Sequence, residues 1–234
     1  ANDSIYSLHV TAQDELWLGT LGGGASRLRD GKFSNFSTSN GLAGNFVRAC
    51  LTDRQGRVWL GTENGLNRMK EDGFLVYTTL DGLSGNHINS LYEDQEGSLW
   101  VGTYDGGLNR IAGGKISSFT MKEGLTNNDV YSILEDREGS LWIGTDAGGL
   151  NRFKDGTYNT ITSGNALADD KKLREARDGN LAYPLGEVFC GALVRMHGED
   201  APGKLARAFA RPEAPAGLGG VALWRDAMLR AMSG

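Results

Sequence analysis

One stretch of the chain, EDREGSLWIGTDAGGLNR at residues 135–152, occurs four times in related forms. Its tryptophan, Trp142, has counterparts at Trp17, Trp59 and Trp100, so that the repeats lie 42, 41 and 42 residues apart. A period in the low forties is typical of one four-stranded propeller blade. The chain is therefore predicted to be a repeat protein in which each repeat forms one blade.

Each repeat contains short runs of aliphatic, β-branched and aromatic residues that predict strands. Residues 130–135 and 141–145 are two such runs without clean polar alternation, which indicates strands covered on both faces. A D-x-x-G turn at residues 136–139 separates them, and a Gly-Gly or Asn-Gly turn follows the second strand. A third turn, at residues 155–156, leads to a last strand, so each repeat is predicted to be a four-stranded antiparallel meander.

The first repeat departs from this pattern at its first turn. Thr11 stands where the other repeats have the turn aspartate, and Asp14 stands where they have glycine. Because Asp tolerates the left-handed backbone conformation better than most residues, we expect the hairpin to survive. The turn aspartates of the other repeats are interpreted as hairpin residues and not as a carboxylate site.

The recurring string D-x-x-G-x-L-W-[IV]-G-T-x-x-G-G-L resembles the two-component regulator propeller repeat of bacterial hybrid sensor proteins. The resemblance covers residues 1–163, with the turn, the Trp, the Gly-Thr pair and the Gly-Gly pair all in register. The resemblance implies seven-bladed propellers in an extracytoplasmic sensor region, ahead of a membrane span and a histidine kinase. Such sensor regions often recognise carbohydrate-derived ligands. Four repeats cannot close such a ring.

The predicted fold is all-β, a partial β-propeller of four clear four-stranded antiparallel blades, plus a degenerate fifth repeat and a short α-helical tail. In the fifth repeat, residues 164–182, Ala176 replaces the turn aspartate and Ala182 replaces the tryptophan. Residues 183–234 are rich in Ala, Arg and Gly and are predicted to form helical pieces of unknown origin. The four blades are predicted at approximately residues 1–44, 45–85, 86–127 and 128–163.

Composition and charge exclude several classes of function. A net charge of −5 gives no basic surface for nucleic acid or anionic lipid. There is no run of 18 apolar residues, and the first residues already match a repeat start, so neither a membrane span nor a signal peptide is predicted. Cys50 occupies an apolar position of the repeat and is expected to be a buried thiol.

Residues that recur in every blade are interpreted as structural. The tryptophans could stack on a sugar, but their presence in all four repeats favours a role in blade packing. The same reasoning applies to the arginine that recurs after each Gly-Gly turn. These arginines are Arg27, Arg68, Arg110 and Arg152.

Ligand-facing residues are instead expected where the blades differ on one shared rim. In an antiparallel meander the Gly-Gly turn and the crossover to the next blade share one end. The crossover leads into the strand that contains Val130, which is predicted to be the innermost strand, so its first residues should border the central opening. Each variable residue on that rim, taken alone, is also explained as a solvated loop residue. The candidate ligand-binding residues are Phe46, Glu63, His87, Tyr104, Asp129 and Asp146.

No catalytic residue, metal site or cofactor is predicted. The chain has no G-x-S-x-G, H-E-x-x-H or C-x-x-C motif, and its histidines, His9, His87 and His197, are scattered. A propeller lyase resembling the streptogramin-inactivating enzymes is the alternative, with His87 as the only residue placed for that role. A lyase should bury this histidine beside a second acid or base and a metal, whereas a sensor should show it isolated. A protein-binding scaffold is a third interpretation.

The sequence therefore predicts a non-catalytic, ligand-sensing fragment of a bacterial signalling receptor. The expected partner is a small molecule or an oligosaccharide on the propeller rim. Self-association through open blade edges is a further expectation, because an incomplete ring exposes two apolar faces. The family resemblance implies a periplasmic or other extracytoplasmic location.

Overall fold

The computed structural model describes residues 4–161 of the 234-residue chain. These residues form four separate four-stranded antiparallel sheets, and each sheet takes its strands in chain order. This is the predicted meander, and the all-β architecture of four blades is confirmed. The degenerate fifth repeat and the helical tail lie outside the described residues.

The strands of the first two blades are β1 (Ile5–Val10), β2 (Leu16–Thr20), β3 (Ala25–Arg29), β4 (Lys32–Phe36), β5 (Val47–Thr52), β6 (Val58–Thr62), β7 (Gly65–Lys70) and β8 (Gly73–Tyr77). The strands of the next two blades are β9 (Ile88–Glu93), β10 (Leu99–Thr103), β11 (Leu108–Ala112), β12 (Lys115–Phe119), β13 (Val130–Glu135), β14 (Leu141–Thr145), β15 (Gly149–Lys154) and β16 (Thr157–Ile161). The first strands of consecutive blades contact one another, β1 with β5, β5 with β9 and β9 with β13. The first strand of each blade is therefore the innermost strand, as predicted.

The apolar core lies between consecutive blades. One cluster joins Trp59 and Leu66 of the second blade to Ile88, Leu99 and Val101 of the third blade. Equivalent clusters join the first blade to the second and the third blade to the fourth. Each blade is therefore stabilised mainly by its neighbours.

The glycine of each Gly-Thr pair allows this close packing of blades. A Cβ atom at Gly61 would lie 2.6 Å from Cγ2 of Ile88, and one at Gly102 would lie 2.6 Å from Cγ1 of Val130. Neither glycine has a positive φ angle. Glycine recurs at this position because the first strand of the next blade approaches the backbone too closely for a side chain.

The turn aspartates have a second function that the sequence analysis missed. Besides accepting hydrogen bonds from the turn backbone, each aspartate accepts one from the indole N–H of the tryptophan six residues later. The Oδ2–Nε1 distances are 2.7 Å for Asp53–Trp59, 2.7 Å for Asp94–Trp100 and 2.8 Å for Asp136–Trp142. The interpretation of these aspartates as hairpin residues alone was therefore incomplete.

The first blade keeps the turn but not this indole hydrogen bond. Thr11 Oγ1 accepts hydrogen bonds from the backbone N–H groups of Gln13 and Glu15, and Asp14 adopts a φ angle of 63°. The hairpin therefore survives as predicted. The Nε1 atom of Trp17 is buried and has no hydrogen-bond partner among the residues described.

The recurring arginines stack on the recurring tryptophans. In every blade the arginine on the third strand is paired in register with the tryptophan on the second strand. The guanidinium carbon lies 5.8 Å from the ring centroid in the first two blades, 5.6 Å in the third and 5.4 Å in the fourth. One arginine and one tryptophan in each blade are therefore engaged in a cation–π contact with each other.

A short 3-10 helix begins each crossover between blades. These helices are Thr38–Asn40, Thr79–Asp81 and Met121–Glu123, and each ends at a glycine in the left-handed conformation. The asparagine that recurs before each innermost strand accepts a hydrogen bond from the first residue of the helix. The N–Oδ1 distances are 2.9 Å for Thr38–Asn45, 2.7 Å for Thr79–Asn86 and 2.9 Å for Met121–Asn128. Within residues 4–161, no helix has the length and hydropathy needed to span a membrane.

Candidate functional site

The crossovers and the Gly-Gly turns meet at one rim of the blades, as the meander topology predicts. The N–H groups of Gly22 and Gly24 in the first blade donate to the carbonyl oxygen of Asn45 in the second, at 3.0 and 2.8 Å. Gly107 of the third blade likewise donates to the carbonyl oxygen of Asn128 in the fourth, at 2.7 Å. The turn of one blade is thus fixed to the crossover that opens the next blade.

The six candidate residues lie on this rim as one pair in each of three blades. In the third blade, the backbone N–H of Tyr104 donates to the carbonyl oxygen of His87 at 2.9 Å. In the fourth blade, the backbone N–H of Asp146 donates to the carbonyl oxygen of Asp129, also at 2.9 Å. In the second blade the backbone N–H of Phe46 donates to the Glu63 carboxylate at 2.9 Å, so Phe46 and Glu63 are also neighbours.

His87 and Tyr104 form an aromatic pair. Their ring centroids are 5.6 Å apart with an angle of 47° between the planes, and Tyr104 is 42% exposed. Burial lowers the pKa of His87, the charge of Arg48 lowers it further, and Glu63 and Asp105 oppose these effects. The imidazole is therefore neutral at pH 7, and its buried Nε2 atom has no hydrogen-bond partner in the described part of the chain.

The Glu63 carboxylate supports the backbone of its own blade. It accepts hydrogen bonds from the N–H groups of Asn45 and Phe46, at 3.1 and 2.9 Å. A side chain at Gly44 would displace this carboxylate, so glycine at that position leaves room for Glu63 to make these two bonds. Two backbone bonds use about half of the lone-pair capacity of a carboxylate, so Glu63 can accept further hydrogen bonds only in a fixed orientation.

Asp129 also combines a structural contact with a place on the rim. Its Oδ1 atom accepts a hydrogen bond from the backbone N–H of Asp105 in the preceding blade, at 2.6 Å. The pKa of the nearby Tyr131 phenol is raised, first by burial and then by the charges of Asp146 and Asp129. The carboxylates of Asp129 and Asp146 therefore both lie near Tyr131.

A β-bulge in each innermost strand places one further side chain near this rim. In all four blades the pairing between the first two strands skips the second residue of the first strand. A bulged residue lies outside the regular ladder, and bulges often redirect a side chain near a functional site. The four bulged residues are Tyr6, Arg48, Asn89 and Tyr131.

Sequence reasoning missed these four residues, although a signal was present. Each follows a recurring apolar residue, Ile5, Val47, Ile88 or Val130. The bulged position itself is tyrosine in the first and fourth blades, arginine in the second and asparagine in the third. Variation inside an otherwise recurring strand was the same criterion that identified the rim residues.

Arg48 connects the bulged residues to one another. Its Nη1 atom donates to Oδ1 of Asn89 at 3.2 Å, and its guanidinium carbon lies 5.8 Å from the centroid of the Tyr6 ring. Its charge also influences His87 and Tyr131. The rim thus contains a cation, several carboxylates and several aromatic rings. Among the described residues, no group of three or more His, Cys, Asp or Glu is placed to hold a metal ion.

Three segments of the chain match the family model described as two component regulator propeller. The matched residues are 41–64, 82–105 and 124–147. Each segment runs from the left-handed glycine of a crossover, through the innermost strand and the D-x-x-G turn, to the residues just beyond the Gly-Thr pair. These three segments are similar to two component regulator propeller repeats. The six candidate residues all lie inside the matched segments.

Solved structures of two extracellular domains share the fold of these propeller repeats. Both are extracellular domains of hybrid two component systems from B. thetaiotaomicron. The first is 26% identical with a TM-score of 0.58, and the alignment covers 64% of this chain and 21% of that domain. The second is 18% identical with a TM-score of 0.62, and the alignment covers 69% of this chain and 25% of that domain. The chain therefore spans about a quarter or less of the length of these sensor domains.

A propeller enzyme is also similar in fold. Virginiamycin B lyase from Staphylococcus aureus is 18% identical with a TM-score of 0.55, and the alignment covers 69% of this chain and 57% of the lyase. At this identity the similarity concerns the fold alone. No curated protein matches the chain significantly.

Proposed function

We propose that these propeller repeats belong to the extracytoplasmic ligand-sensing region of a bacterial two-component receptor, and that the ligand binds at the rim. One observation carries the proposal. The recurring residues are engaged in contacts within and between blades, whereas six residues at positions that vary between blades lie together on one rim. A repeat scaffold that keeps its framework and varies one surface is typical of a binding protein.

The side chains on the rim suit a carbohydrate. The paired rings of His87 and Tyr104 offer an apolar surface with polar edges, on which the C–H face of a sugar ring can pack. The Asp129 and Asp146 carboxylates are hydrogen-bond acceptors for sugar hydroxyl groups. A few polar groups around an aromatic surface are typical of small-molecule sites.

A lyase is less well supported by the same geometry. His87 is on the rim and is neutral, so it could accept a proton. Its Nε2 atom, however, makes no hydrogen bond to an acid or base in the residues described, and its ring contacts Tyr104 instead. A general base also needs a partner that orients it. The proposed function is therefore non-catalytic.

A calorimetric screen of monosaccharides and oligosaccharides on the 234-residue chain tests this proposal. We expect at least one saccharide to bind, and Tyr104→Ala and His87→Ala to weaken its binding by about tenfold or more. Phe33→Ala is the matched control, because Phe33 is a 64% exposed aromatic residue on the outermost strand of the first blade. The proposal is wrong if no saccharide binds, or if Phe33→Ala weakens binding as much as Tyr104→Ala does.

A further inference from the structure

Arg48 differs from the ion-paired arginines of these blades. Arg54, Arg110 and Arg152 each pair with a glutamate. Arg48 is half-buried, and its guanidinium donates a hydrogen bond to the neutral side chain of Asn89 rather than to a carboxylate. A partly desolvated guanidinium without a carboxylate is unfavourable, because the lost hydration is not replaced by an opposite charge.

Asn89 is held in one orientation by this arginine. A guanidinium only donates hydrogen bonds, so the atom of Asn89 that faces it must be the carbonyl oxygen, Oδ1. The amide nitrogen Nδ2 is then left as a free donor. Asn89 is only 8% exposed, and both its Nδ2 atom and the Nε atom of Arg48 are buried without a partner among residues 4–161.

These two side chains therefore present unsatisfied donors and one positive charge at the same place. A buried donor without an acceptor destabilises the protein unless a bound group supplies one. A carboxylate fits this requirement, since it brings a negative charge and two acceptor oxygens that match a guanidinium. Tyr6, which is 54% exposed, stacks on the guanidinium and borders this site.

We propose that Arg48 and Asn89 bind a carboxylate group of the ligand. The inference rests on the proposed function and narrows its ligand class to an acidic sugar. The rim carboxylates Asp129 and Asp146 accept hydrogen bonds from hydroxyl groups, while Arg48 and Asn89 donate to the acid group. Two of the rim acids, Glu63 and Asp129, already accept hydrogen bonds from backbone N–H groups, which reduces their repulsion of an anion.

The site can be tested by NMR on the 234-residue chain labelled with ¹⁵N-arginine. The Nε–H signal of Arg48 is identified by its loss in Arg48→Met. The chain is titrated with sodium acetate, sodium glucuronate and glucose, with sodium chloride keeping the ionic strength constant. We expect a saturable shift of the Arg48 signal with acetate and glucuronate, and tighter binding of glucuronate than of glucose.

Two variants separate this site from general ionic attraction. Asn89→Asp has nearly the same shape but supplies Arg48 with an internal carboxylate, so it should weaken glucuronate binding by about tenfold or more. Arg54→Met removes one positive charge from a turn at the opposite end of the blade, and should leave the affinity unchanged. Circular dichroism melting confirms that each variant is folded.

The outcomes distinguish this inference from the proposed function. If glucose and glucuronate bind equally and Asn89→Asp changes neither, the carboxylate site is wrong but the sugar-binding rim stands. If acetate shifts the Arg48 signal saturably while no sugar binds, the carboxylate site stands and the sugar-sensing function is wrong. If the signal responds to acetate no more than to chloride and no sugar binds, both proposals are overturned.

Discussion

The first and third blades follow the same repeat but are stabilised differently. In the third blade, Trp100 donates to Asp94 and the first strand is covered, with Ile88 fully buried. In the first blade, Trp17 has no acceptor in the described structure, and Ile5, the equivalent of Ile88, is 45% exposed. Both blades nevertheless form the same four-stranded meander. The comparison shows that turn chemistry sets the shape of a blade, whereas its neighbours and the Asp–Trp bond supply much of its stability.

The largest expected effect comes from the innermost strands. Ile88→Ala should lower the free energy of unfolding by about 3 kcal/mol, because it leaves a cavity between the second and third blades. Ile5→Ala should lower it by less than about 1 kcal/mol, since nearly half of this residue is already exposed to solvent. Urea unfolding of the two variants measures both values. Equal losses would show that the first strand of the first blade is as well packed as that of the third.

A smaller effect is expected when the turn of the first blade is copied into the third. Asp94→Thr keeps a hydroxyl that can accept from the turn backbone, as Thr11 does, but removes the acceptor for Trp100. We expect the free energy of unfolding to fall by about 1–2 kcal/mol, the cost of leaving a buried indole N–H unpaired. Asp72→Ala, at an exposed turn of the second blade, is the control and should change little.

The reverse substitution should stabilise the first blade. Thr11→Asp supplies an acceptor six residues before Trp17, and Thr11 is as buried as Asp53 and Asp94. The expected gain is about 1 kcal/mol in the free energy of unfolding. A lower melting temperature for this variant would contradict the account of the Asp–Trp bond.

The smallest expected effect is a pH dependence at the junction of the first two blades. The Nε2 atom of His9 accepts a hydrogen bond from the backbone N–H of Thr52 at 2.9 Å, which requires the neutral imidazole. Burial lowers the pKa of His9 below its ordinary value of 6.5. The unfolded chain therefore binds the proton at a higher pH than the folded chain does. This contribution to stability is fully present above pH 6.5 and is lost as the pH falls through the folded pKa.

The measurement is the urea midpoint at about pH 7.5 and about pH 5.5, within the range where histidine titrates. In His9→Gln, whose amide oxygen can accept the same hydrogen bond without titrating, the decrease between the two pH values should be smaller. The decrease that remains includes the contribution of His87, whose pKa is also lowered. If the urea midpoint of His9→Gln falls as much between the two pH values as that of the unsubstituted chain, His9 does not cause the pH dependence.

Much of the fold could be predicted because its signals are local. Each turn residue specifies its own hairpin, and the order of hairpins fixes which strand is innermost and which turns share the rim. The bulged residues, including Arg48, could not be placed in this way, because a bulge shifts the alternation of the strand without any turn residue to mark it. The support that Glu63 gives to the crossover was also hidden, since it depends on how two loops meet in space.

The central claim is that recurring residues hold the blades together while variable rim residues bind the ligand. Its most direct test measures saccharide affinity and melting temperature for two variants, Tyr104→Ala on the rim and Asp94→Thr in the framework. The account predicts that Tyr104→Ala loses affinity at an unchanged melting temperature, and that Asp94→Thr keeps its affinity at a lower melting temperature. The opposite pattern, or equal losses of affinity in both variants, would contradict it.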